Sequence, residues 1–184
     1  MLTLNLAKGA TVSRFFYFIS LCSFLILSPA HGAVDYSVCP DVKTLAPNVY
    51  DPAVSLEDVM HQFRDHIEVA DQAVSDGKMG TLANNELVAA VENVEAAHNC
   101  AELVVRNASH TMTPDSIQSL PPAQQGPALD GFSQAMQQFA DLLTKYEEAL
   151  AALRDAPPAS RNFSAASDLQ MQIHSFESQA HKQF

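Results

Sequence analysis

The chain has 184 residues, 47% of them hydrophobic and 17% charged, with Lys+Arg 10 against Asp+Glu 21 and a formal net charge of −11. That apolar content excludes a disordered chain. The acidic balance argues against nucleic acid as a partner, because displacing phosphate counterions needs a basic surface, and the length fits one domain with a substantial core.

Residues 1–32 carry the order of a secretory signal peptide: Lys8 and Arg14, an apolar run over 15–28, then small residues at Ala30, Gly32 and Ala33. The run of about 14 residues is short for a membrane span, which needs about 20, so no membrane segment is expected once the signal is removed. Cleavage after Gly32 is the first choice, with Ala30 and Ala33 as alternatives. Removal makes the mature chain two charges more acidic and takes away Cys22, leaving Cys39 and Cys100. An even pair in an exported protein suggests a disulfide; two unrelated cysteines are the alternative.

Residues 33–53 contain Pro40, Pro47 and Pro52 without a sustained period, and they read as an irregular arm. Ser55 with Asp58 has the spacing of a capping box, followed by Leu56, Val59, Met60, Phe63, Ile67, Ala70 and Val74 in steps of three and four. Asp76-Gly77 is expected to end this first helix. A second helix is expected over about 82–106, with Leu87, Val91, Val94, Ala101 and Val105 on one face. The connection over about 107–126 holds Pro114, Pro121 and Pro122, and Thr113-Pro114 suits a short helical turn.

The third helix has the strongest pattern, Leu129, Phe132, Met136, Phe139, Leu143, Tyr146, Leu150 and Leu153, the seam of a bundle. Pro157-Pro158 stop it. The fourth runs from about Phe163 to the end with Leu169, Ile173, Phe176, Ala180 and Phe184 on its face. The fold class expected is all-α. Residues 54–184 are expected to form an antiparallel up-down-up-down four-helix bundle, preceded by the signal peptide and the arm. In that topology Cys100 lies toward the end at which the arm enters helix one, so Cys39 can meet it.

The sequence holds no Gly-rich phosphate loop, no nucleophile elbow and no His-Glu-x-x-His. Glu95 and His98 supply one Glu-x-x-His pair, whereas a di-iron bundle needs two. Cys-x-x-Cys-His does not occur, which excludes covalently attached haem. An enzyme is not expected. The mature chain has His61, His66, His98, His110, His174 and His181, and Met60, Met79, Met112, Met136 and Met171. In the expected bundle Met60 and His181 lie at one end, each roughly 5 to 8 Å in. A thioether and an imidazole so placed can clamp a haem iron from opposite faces. The plainer alternative makes Met60 core filler and His181 a solvated residue favoured by the helix dipole.

The segment Leu56-Glu57-Asp58-Val59-Met60 together with the C-terminal Ala180-His181-Lys182-Gln183-Phe184 resembles soluble cytochrome b-562. The similarity continues through 68–73 and into helix three, where Phe132 and Met136 stand at a pair that lines the haem pocket in that family. It spans about 54–184. One position departs: the family has Arg one turn before its His, and this chain has Glu177.

The resemblance implies a periplasmic bundle holding one non-covalent haem b between Met60 and His181. It also implies one-electron transfer to a redox partner protein that the sequence does not identify. Phe63, Phe132 and Met136, with Ile173 and Phe176, are expected to keep water from the macrocycle. The alternative function is a haem-free exported bundle acting as a binding or stress-response module. A metal site on His61, His66 and His98 is a third reading, weakened because His61 and His66 are five apart, off a shared helix face.

Overall fold

The computed structural model describes residues 34, 36–41 and 54–184. The signal-peptide reading and most of the arm lie outside the described residues. Every regular element among those described is helical: α1 Leu56–Met79, α2 Asn84–Asn107, the single turn α3 Asp115–Gln118, α4 Pro122–Asp155, a 3-10 turn Pro158–Ser160, and α5 Ser164–Gln183. No helix among the described residues is long and apolar enough to cross a membrane.

The start of α1 follows from two side chains. The Asp58 amide donates to Ser55 Oγ at 3.1 Å and the Ser55 amide donates to Asp58 Oδ2 at 3.3 Å, which satisfies donors that a helix start leaves open. The hydroxyl of Ser55 also donates to Asp58, and these bonds hold the Asp58 carboxyl below its usual range.

The end of α1 differs from the sequence expectation. The helix runs through Gly77 to Met79 and stops at Gly80, whose φ of 75° is left-handed. Its amide reaches back to the carbonyls of Asp76 and Gly77, and Thr81 donates to Asp76. Gly77 has a different task. A Cβ there would fall 2.2 Å from ring atoms of Phe163, so its smallness seats that ring.

The third long helix also begins earlier than expected. Pro121 and Pro122 start α4 rather than prolonging the connection, because a proline at the first helical position gives up an amide that has no partner anyway. Gly126 and Pro127 then lie inside the helix. Pro127 forgoes the bond that residue 127 would give Ala123, on a stretch where most side chains are exposed.

The core is built around α4, whose Phe132, Met136, Phe139, Leu143, Tyr146, Leu150 and Leu153 are all buried. α2 packs along α4 and α1, α5 packs on α4, and α1 and α5 share the thinnest seam. Phe63 of α1 reaches Phe139 with ring centroids 5.0 Å apart, and Phe176 of α5 stacks on the same ring at 4.8 Å. Far along the helices, Lys78 donates to Ser167, while Arg161 donates to the Leu153 carbonyl and to Asn84. Ala166 and Ile173 are the fully buried apolar residues of α5.

The described part of the arm is pinned to the helices. Cys39 and Cys100 form a disulfide, 61 residues apart, with both cysteines buried. The Cys39 amide donates to Gln62 Oε1 at 2.9 Å.

Closing a loop of this length stabilises by about 4 kcal/mol in the chain-entropy model. Intact mass after alkylation should show no label without reductant and two labels with it. Reduction should lower the unfolding free energy by an amount of that order. Two thiols that label in the untreated protein would show that the bridge does not form.

Candidate functional site

Two adjoining cavities open at the end where α1 begins and α5 finishes. The first, of about 180 Å³, has almost wholly apolar walls. α1 contributes Leu56 and Met60, one helical turn apart, and α4 contributes Phe132, Met136 and Phe139. α5 closes the third side with Phe176, Glu177, Ala180 and Phe184, and Pro114 covers the end. The C-terminus is held there by Ser116, whose hydroxyl bonds the Phe184 carbonyl, and by the Phe184 ring set edge-on to Phe132 at 5.2 Å.

The second cavity, about 570 Å³, shares Leu56, Met60, Pro114, Glu177 and Phe184 with the first. Its other walls are polar, with His61 and Arg64 from α1 and Thr113, Asp115, Ser116 and Gln118 from the connection before α4. The pair is therefore amphipathic, an aromatic interior beneath a polar mouth.

Of the residues singled out in the sequence, Met60, Phe132 and Met136 lie on the wall of the first cavity, and Met136 is only 5% exposed. Phe63 does not reach the wall. It is buried one layer behind, against Phe139. Ile173 is likewise in the core and not on the wall. His181 lies in α5, one residue after Ala180 and one turn after Glu177. His98, on α2, lines neither cavity.

Sequence reasoning missed Pro114 and the polar rim, because a long connection gives no period that says where it returns. It flagged Glu177 by its sign and not by its place on the wall.

Two polar clusters in the interior link one helix to another. His66 is buried between α1 and α2 with its Nδ1 2.8 Å from Asn93 Oδ1. Asn93 gives its own amide N–H to the Ala89 carbonyl, so Oδ1 accepts and His66 Nδ1 donates. His66 Nε2 is buried without a hydrogen-bond partner. No group of three or more His, Cys, Asp or Glu positioned to hold a metal ion occurs among the described residues.

The second group centres on Asp71. One of its oxygens accepts from Tyr146 at 3.4 Å and the other lies 2.7 Å from His174 Nε2. Burial raises the Asp71 carboxyl above its usual range, and the neighbouring His174 opposes that shift. Tyr146 is fully buried, and burial together with the Asp71 charge pushes its hydroxyl far above its ordinary range.

No family model, curated protein or solved structure matches the chain. The site is accordingly read from its own residues.

Tyr146 makes stability sensitive to alkali. Its folded pKa lies above its unfolded value near 10, so the stabilisation it provides is complete below about pH 10 and is lost as pH rises further. Tyr146→Phe should cost about 1 kcal/mol at pH 7. Above pH 10 the wild type should lose roughly 1.4 kcal/mol per pH unit relative to that variant. Denaturant midpoints of the two proteins from pH 8 to 11.5 check it, and parallel curves would rule it out.

Proposed function

We propose that the chain is an exported, antiparallel up-down-up-down four-helix bundle that holds one non-covalent haem b and passes single electrons. The observation that carries this reading is the thioether of Met60 on the wall of an aromatic cavity, with α5 bringing residue 181 to the same end. The donor types suit the group. A neutral thioether and an imidazole are both established axial ligands, and they stand on helices distant in sequence.

The shape supports it as well. Ligand pockets usually measure about 300–1,000 Å³, and the apolar cavity alone is smaller than that. Joined to the polar recess it reaches the range. An amphipathic macrocycle has apolar rings for the first and carboxylates for the second.

In this reading Met60 and His181 hold the iron. Phe132, Phe139 and Phe176 keep water from the ring faces, which lowers the local dielectric. Arg64 offers N–H donors to carboxylates at the mouth. The haem supplies a one-electron couple, and a thioether ligand raises its potential. With two protein ligands on one iron no position is left for a substrate, which favours electron transfer over catalysis. A disulfide with both cysteines buried fits an oxidising compartment such as the periplasm, in keeping with the signal-like start of the sequence.

Titrating haemin into purified protein while recording the absorption spectrum tests the reading. The wild type should take up one equivalent and give a low-spin spectrum. Met60→Ala should keep haem at least about tenfold more weakly, a loss of roughly 1.4 kcal/mol, with a shift toward high-spin iron. His181→Ala should lose most affinity, and His98→Ala should match the wild type. Protein that stays colourless at saturating haemin would leave the haem-free binding module as the function. A low-spin spectrum abolished by His98→Ala and untouched by His181→Ala would reassign the ligand.

A further inference from the structure

A line of polar groups connects the core to the cavity wall. It starts at the Tyr146 hydroxyl of α4, passes through Asp71 of α1 and reaches His174 of α5, whose Nε2 is 2.7 Å from Asp71 Oδ2. The other ring nitrogen, Nδ1, lies 3.7 Å from Glu177 Oε2, and Glu177 lines both cavities. His174 therefore stands between two carboxylates, one on each nitrogen, and its side chain is 51% exposed to solvent.

A protonated imidazole is hydrogen-bonded to Asp71 and within ion-pair distance of Glu177, so its charge offsets both carboxylates. A neutral one keeps the contact with Asp71 and offsets neither charge. Without the imidazolium, Glu177 on the cavity wall loses the positive charge that His174 places beside it.

We propose that His174 is a positioning residue that couples proton binding to electron uptake at the haem site, an inference that rests on the haem reading above. Reduction of a bound haem by a one-electron donor protein would be accompanied by uptake of one proton from solvent at the His174 imidazole. On oxidation both leave. The sign follows from electrostatics. Reduction removes one positive charge beside Glu177, and a proton on His174 restores it, so each event favours the other to the same degree. The potential then falls as pH rises through the range in which the His174 imidazole gives up its proton. The limit is about 59 mV for each tenfold change in proton concentration.

Asp71 faces His174 from α1, with Tyr146 of α4 behind it. Glu57, His61 and Arg64 of α1 and Asp115 of α3 share the recess with Glu177. Of these His61 is the one other imidazole, so it is the competing proton site.

The test is spectroelectrochemical titration of the haem-loaded full chain from pH 5 to 8, for wild type, His174→Gln, Glu177→Gln and His61→Gln. The wild-type midpoint should fall with pH, with a slope approaching the limit above. His174→Gln should flatten the slope, Glu177→Gln should reduce it, and His61→Gln should leave it. Retained helicity by circular dichroism separates these effects from misfolding, and Glu177→Gln serves if His174→Gln does not fold. A pH-independent wild-type midpoint overturns the proposal, as does a slope that survives His174→Gln or vanishes in His61→Gln. Failure to bind haem at all is a different result. It sinks the proposed function, and this inference falls with it.

Discussion

The apolar stripe of α4 is the surface on which the other helices are placed. Its residues recur every three or four positions over more than five turns, so the helix presents one continuous face that water cannot cover cheaply. Each neighbour meets that face through a large side chain or through its backbone. Phe63 of α1 and Phe176 of α5 both pack on the single ring of Phe139. Asp71 of α1 meets the same helix through the Tyr146 hydroxyl. α5 packs more closely on α4 than on α1, and the seam between α1 and α5 is thin. That seam is where the cavity opens.

How far the sequence foretells this depends on the range of the interaction. The Ser55–Asp58 box and the α4 stripe are local signals, and both appear in the structure as read. The two misplaced boundaries share one cause, which is that Gly and Pro are ambiguous punctuation. Gly77 reads as a stop, yet its role is to admit the Phe163 ring from a segment 86 residues away, and only that distant partner distinguishes it from Gly80. Pro122 reads as part of a loop, yet proline at a first helical position is favoured.

The site divides along the same line. Met60, Phe132 and Met136 are legible because they occupy inward positions on periodic helices. Pro114, Asp115 and Ser116 are not, because their place over the helix ends depends on how a 14-residue connection, 108–121, folds back. Glu177 is the instructive case. Its neighbours on α5 announce an apolar face, and a carboxylate among them reads as a surface residue at the margin. Only the opposing α1 residues show that this margin is a cavity wall.

The cavity and the disulfide bear on each other. A void of about 180 Å³ among apolar side chains costs about 4 kcal/mol at the rate measured for core cavities, as an upper bound because this one is partly open. The bridge between Cys39 and Cys100 contributes a similar amount by closing the loop that contains all of α1. The helix that carries Met60 is therefore constrained in the unfolded chain, and it borders an unfilled part of the folded one. A protein whose remaining core is filled by Tyr146, Phe63, Phe139, Leu143 and Leu150 has the residues to fill this space too. A larger side chain at Ala180 would go part of the way. An aromatic-walled space at the thinnest seam, beside a helix tied by a covalent bond, is the geometry on which the proposed haem site rests.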